Sequence, residues 1–246
     1  MSPEKISKRQ ERRERMQRQQ RRQRLILLGL ISLGAALVVL AVVLPQLRPV
    51  GEIVTVTPAA LPNADGLSLG DSKAVATIDV FEDFQCPACQ RFTENTEPLI
   101  VQNLVATGQA RYVFHHYSFL DGNGAGSGGE SDQAANASMC ANEQGKFWEM
   151  HSILYANWNG ENQGAFSDRR LQAMAESLGL DMESFNSCFD SNKYEADIQA
   201  DFELGQQMGV SGTPTVFVNG QRVGQPRQVP SYQEIADAVS AIQIPQ

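Results

Sequence analysis

Histidine occurs three times in these 246 residues, cysteine four times and tryptophan twice, and no segment repeats. So little histidine leaves a metal centre only Cys86, Cys89 and one of the adjacent His115 and His116. Neighbouring side chains in a strand point to opposite faces, so the two histidines cannot both join one site. No metal is expected, and His151 is expected to be structural. Aromatic residues make up 7% of the chain, and 28 acidic residues against 20 basic ones give a net charge of −8. An acidic chain with few aromatics argues against a nucleic-acid partner.

The charge is unevenly spread. Residues 1–48 hold 11 Lys/Arg and 3 Glu, net +8, which leaves residues 49–246 at −16. Between the basic arm (1–24) and the rest runs Leu25–Leu44, 20 uncharged residues without a break. As a helix it spans roughly 30 Å, the thickness of a bilayer's hydrocarbon core. A cleaved signal peptide has a shorter apolar region of about 7–15 residues. No small-x-small site follows, and Pro45-Gln46-Leu47-Arg48 is a poor cleavage site. An uncleaved transmembrane helix over 25–44 is therefore expected. Ten basic residues precede it, and only Arg48 closely follows. That asymmetry keeps the N-terminus cytoplasmic and places the remainder outside. Arg12-Arg13 and Arg21-Arg22 sit in surroundings that match twin-arginine export poorly, and the basic arm reads as a topology and anionic-lipid element. Residues 45–66, rich in Pro and Gly, read as an extracytoplasmic stem with a short strand at Ile53–Thr57. As a flexible coil the stem would reach roughly 25–30 Å.

All four cysteines (Cys86, Cys89, Cys140, Cys188) fall on the exported side, where disulfides persist. Cys86-Pro87-Ala88-Cys89 follows a mostly apolar run, Ala74–Glu82, that reads as a buried strand, and precedes a helical pattern to about Thr107. The first sulfur then stands at a helix N-terminus, where free N–H groups and the helix dipole favour thiolate. The second lies one turn on, close enough to close a small disulfide ring. Such a pair suits thiol–disulfide exchange. The short Cys86–Cys89 ring leaves Cys140–Cys188 as the natural second bridge.

Past that helix, which Pro98 should kink or split and Gly108 should end, Ala110–Ser118 reads as a strand and Asp121–Gly129 as a surface loop. Residues 131–208 are helical by period. Ser167 is placed to cap one helix, which Gly179 closes, and Asp181 to cap the next. Thr215–Val218 is a strand, Asn219-Gly220 a hairpin turn, and Ser231–Ile242 a last helix. Phe147 and Trp148 read as core residues. The fold class is α/β, with a globular domain over 67–246.

Three segments carry a family resemblance: Glu82–Cys89 (EDFQCPAC), Gly145–Trp148 (GKFW) and Gly212–Gly220 (GTPTVFVNG). In their order and spacing they resemble a thioredoxin fold with a helical insertion, and in particular the membrane-anchored bacterial DsbA-type thiol–disulfide oxidoreductases. The resemblance covers about residues 70–243. It implies that Cys86 and Cys89 are the redox couple and that Pro214 is a cis-proline facing it. Thr213 would present its backbone to an extended substrate segment. Cys140 and Cys188 match cysteines that some relatives pair within the insert; the loop so closed, about 49 residues, would contribute on the order of 4 kcal/mol.

The resemblance also implies cysteine-containing exported proteins as substrates, a membrane quinone-linked thiol oxidase as redox partner, and no cofactor. Disulfide donation is expected. A membrane-anchored reductase, or a non-catalytic client-binding module, is the alternative. Two departures stand out. Many relatives place a buried acid six positions before the first active-site cysteine, where this chain has Val80. The base for Cys89 is thereby left open among water, Asp79, Glu82 and Asp83. The Pro87-Ala88 dipeptide also lacks the histidine of strong oxidants, so the helix terminus must stabilise more of the thiolate.

Overall fold

The computed structural model describes residues 3–46, 49–57, 61–121 and 128–243. Parts of the expected stem (47–48 and 58–60) and most of the expected 121–129 loop (122–127) lie outside the described residues. The chain divides into two units, Met1–Pro49 and Val50–Gln246.

The first unit is one helix, α1 (Pro3–Gln46), which carries the basic arm as well as the apolar run. It is long and apolar enough to cross a membrane. Leu25, Leu27, Ile31 and Val38 are all more than half exposed.

The second unit is built on a five-stranded sheet ordered β1-β3-β2-β4-β5. Its strands are β1 (Ser68–Leu69), β2 (Ala76–Glu82), β3 (Ala110–His116), β4 (Thr215–Val218) and β5 (Gln221–Arg222). β2 and β3 run parallel, joined by helices; the other pairings are antiparallel. Ala76, Ile78 and Val80 of β2 and Ala110, Tyr112 and Phe114 of β3 point into the main core. Phe81 and Phe217 point the other way, into a smaller cluster with Tyr117 and Val210. Asn219 and Gly220 both take positive φ, +46° and +76°, as the tight turn between β4 and β5 requires.

The helix after the cysteines splits where Pro98 removes an N–H donor. α2 (Pro87–Asn95) stops at Thr96, α3 (Glu97–Ile100) restarts, and a wide π-type turn over Val101–Val105 ends the segment. Five helices form the insert: α4 (Glu130–Asn142), α5 (Phe147–Ala156), α6 (Asp168–Ser177), α7 (Met182–Asp190) and α8 (Glu195–Gln207). α9 (Tyr232–Gln243) closes the fold, with Ile235 and Val239 in the main core. Its start is a reciprocal cap: the Glu234 carboxylate accepts from Ser231 N, and Ser231 Oγ accepts from Glu234 N. Asp181 caps α7 by accepting from Glu183 N. Ser167 stands at the α6 cap position, but its hydroxyl donates to Gly164 O instead.

Residues 50–57 form no strand. They are tied to the insert all the same. Asn157 Nδ2 donates to Val54 O at 2.8 Å while its Oδ1 accepts from Val54 N at 2.9 Å. Arg170 Nη1 donates to Val50 O at 2.8 Å, and Ile53 packs against the core.

Candidate active site

Pro87 fixes φ and lacks an N–H, so α2 begins on it and Cys86 becomes the cap residue, with φ −75° and ψ 121°. The N–H groups of Ala88 and Cys89 have no helical partner and face the Cys86 sulfur. Across from it, the Thr213–Pro214 peptide bond is cis. The Cys86 thiol donates to Thr213 O at 3.4 Å. The loop that carries Thr213 is pinned on three sides: Tyr117 Oη donates to Val210 O, Thr215 Oγ1 to Gly212 O, and Arg222 Nη2 to Gly209 O.

Both cysteines are free thiols in this structure. They differ in reach: Cys86 is 6% exposed and Cys89 fully buried. Their acidities diverge as well. A hydrogen bond from Cys89, then one from the Thr213 side chain and those from the N–H groups of Cys89 and Ala88, bring Cys86 down to about 6 against the cost of burial. Burial, then the Cys86 sulfur and the charge of Glu82, push Cys89 well above the ordinary thiol range.

Glu82 is the residue that sequence reasoning left undecided. It ends β2 on the same face as Ile78 and Val80, fully buried beneath the dithiol. Tyr155 Oη donates to its Oε2 at 2.6 Å. Burial and the charge of Glu97 raise its carboxyl well above the usual range. The signal was present, since position 82 shares the parity of the buried positions 76, 78 and 80. Asp79, of the opposite parity, lies on the other face with His115.

Asp83 and Gln85 fix the turn before Cys86. Asp83 Oδ1 accepts from Gln85 N and Ser131 Oγ, and its Oδ2 from Phe119 N and Leu120 N. The Gln85 side chain donates to Asp121, Ser131 and Asn162 and accepts from Asn162 N. Trp158 Nε1 donates to Gln85 O at 2.7 Å. Neither Gln85 nor Trp158 stands out in the sequence. Phe147 and Trp148 lie in the core, and His151 is buried among aromatic rings. His116 is buried on one face of β3, while His115 stacks on Phe81 on the other. Cys140 and Cys188 form a disulfide joining α4 to α7. Among the described residues no group of three or more His, Cys, Asp or Glu is placed to hold a metal.

A helix-capping thiol paired with a buried one, at the end of a parallel strand and opposite a Thr-Pro loop, is the site arrangement of a thioredoxin-like fold. The chain belongs to the thioredoxin family, whose family model matches residues 63–238. Over 153 residues (62% of this chain) it is 34% identical to a Na(+)/H(+) antiporter NhaA 3 of Salinispora tropica, of which it spans 21%. The chain thus covers about a fifth of that relative's length. It is 23% identical to the disulfide bond formation protein D of Bacillus subtilis over 172 residues, which cover 70% of this chain and 74% of that protein. The crystal structure of oxidised BdbD from Bacillus subtilis superposes with a TM-score of 0.63 at 23% identity, over 78% of this chain and 98% of the other.

Proposed function

We propose that this chain is an extracytoplasmic, membrane-anchored oxidoreductase that donates the Cys86–Cys89 disulfide to exported proteins. The observation that carries the reading is the asymmetry between the two sulfurs. A thiol held near pKa 6 is stabilised as the reduced enzyme's thiolate. A stabilised reduced form makes the corresponding disulfide a stronger oxidant.

In the reaction, a substrate thiolate attacks Cys86 Sγ and the Cys86–Cys89 bond breaks. The electron pair leaves on Cys89 Sγ, which takes a proton from Glu82. A second substrate thiolate then attacks the substrate sulfur bound to Cys86, and Cys86 departs as thiolate. The substrate has lost two electrons and gained a disulfide, and the enzyme holds a dithiol. Thr213 presents backbone to the arriving chain as an added strand, and the Cys140–Cys188 bond is structural. A membrane quinone-linked thiol oxidase would restore the enzyme disulfide. The α1 helix would cross the membrane with its basic arm in the cytoplasm.

The test is Cys89→Ser expressed in cells. Substrates should accumulate as mixed disulfides on Cys86; if none is trapped, the exchange mechanism is wrong. A redox potential of the full chain near that of thioredoxin, about −270 mV, would point to a reductase instead.

A further inference from the structure

The seam beneath the sulfurs, between the sheet, α2–α3 and α5, gathers several ionisable groups. Glu82 enters from β2, Tyr112 from β3, Glu97 from α3, and His151 and Tyr155 from successive turns of α5. Tyr155 holds Glu82 Oε2, and Tyr112 Oη donates to Glu97 Oε2 at 3.3 Å. His151 Nε2 lies 3.6 Å from that same Glu97 oxygen, and the Thr93 hydroxyl stands beside both carboxyls. Glu82 is 1% exposed and its Oε1 has no hydrogen-bond partner. The Glu97 side chain is 13% exposed. Glu82 is sealed under the dithiol, while the Glu97 side chain reaches partly toward solvent.

We propose that Glu97 is the outer half of a proton-sharing pair with Glu82, through which the proton exchanged with Cys89 passes to and from solvent. This rests on the exchange reaction proposed above. Glu97 touches neither sulfur and acts through Glu82, as a positioning residue.

Two buried carboxyls that pair with no Lys or Arg among the described residues cannot both carry charge cheaply. Burial raises Glu97 to about 8, and its charge pushes Glu82 further up. His151 and His116 are held neutral by burial, at about 3 and about 4, and supply no counter-charge. Tyr112 and Tyr155 are pushed up and stay protonated donors. Cys86 and Cys89 are the remaining ionisable groups facing the seam. When Cys89 leaves with its electron pair, Glu82 gives it a proton. Glu97 then passes its own proton to Glu82 and is reprotonated by water. Reoxidation runs the same transfers backwards.

The test uses the full chain in detergent micelles. Oxidation of a dithiol peptide is followed from pH 6 to 9 for the wild type, Glu97→Gln and Glu97→Asp. Glu82 loses its like-charged neighbour in Glu97→Gln and lets go of its proton about a unit earlier, which is tenfold in population. Loss of the relay should hold the rate ratio of Glu97→Gln to wild type below one already at pH 6, and the earlier ionisation of Glu82 should take it about tenfold lower by pH 8.5, with Glu97→Asp restoring most of both. The wild-type oxidised-minus-reduced infrared difference spectrum should show a protonated-carboxyl band that shifts in D2O, whether or not the variants fold. A ratio of one throughout, or a difference spectrum without that band, overturns the relay and leaves the exchange reading standing. A wild type that oxidises no dithiol at any pH overturns both.

Discussion

Replacing His115 by glutamine should cost stability at pH 6 and cost much less at pH 10. His115 bridges two carboxylates on the sheet face opposite the dithiol: its Nδ1 lies 3.0 Å from Asp201 on α8 and its Nε2 lies 3.2 Å from Asp79 on β2. Asp201 also accepts from the backbone N of His116 at 3.0 Å, so the bridge fastens α8 to the sheet. Burial works against the charged ring, yet the Asp201 and Asp79 carboxylates raise it to about 9 from an ordinary 6.5. The folded chain therefore keeps this proton where the unfolded chain has lost it. The stabilisation is complete below pH 6.5 and fades as pH climbs through 9. A gap of about two and a half units corresponds to about 3 kcal/mol; the ring is 16% exposed, which trims this to about 2–3 kcal/mol.

The assay is urea unfolding of the full chain in micelles, wild type and His115→Gln, read by fluorescence of Trp148 and Trp158 from pH 6 to 10. Both proteins carry the same cysteines, so thiol ionisation cancels in the difference. The stability gap should close by about 2 kcal/mol or more between pH 6 and pH 10. A gap that stays constant across that range refutes the charged bridge.

Alkylation of the reduced protein should show Cys86 ionising near pH 6 while Cys89 stays unreactive; a Cys86 midpoint near the free value of about 8.5 contradicts the geometry at the α2 terminus. Gln85→Ala strands polar partners on Asp121, Ser131 and Asn162, and should lower stability by about 2–3 kcal/mol in thermal unfolding while slowing dithiol oxidation; unchanged values for both would deny it a structural part. The Cys140→Ala, Cys188→Ala double variant should lose about 2–4 kcal/mol and keep its rate of dithiol oxidation at a temperature where it stays folded; a lost rate there would assign that bond to the redox chemistry. Asn157→Ala removes both hydrogen bonds to Val54, and hydrogen exchange at the Val54 amide should rise at least tenfold; unchanged protection would mean that Ile53 and the Arg170–Val50 hydrogen bond hold the segment without it.

The parts legible in the sequence share a local cause. Periodicity and punctuation placed β2, the break at Pro98, the Asn219-Gly220 turn and the helices of the insert within a few residues. The CPAC and GTPT segments carried the chemistry because each does its work within a single turn or loop. What escaped depends on partners distant in the chain. Gln85 looks like a spacer until Asp121, Ser131 and Asn162 arrive 36, 46 and 77 residues later. Residues 50–57 have the composition of a stem, and the hydrogen bonds that hold them down come from Asn157 and Arg170, more than 100 positions away. β1 is two residues long, too short to show alternation. Glu82 was within reach of parity, but its pairing with Tyr155 requires the folded insert and its nearness to Glu97 the packing of α3.

The polar node at Gln85 sets an order in time. Its anchors span the chain as far as Asn162, and the carbonyl opposite Cys86 belongs to Thr213. While the polypeptide is still being synthesised from its N-terminus, Cys86 emerges long before any of these groups. Throughout that interval it is an ordinary cysteine in an unsupported turn, with no acidic edge over its neighbours. Reactivity is switched on by completion of the fold, so a half-made molecule does not yet carry the reactive thiol.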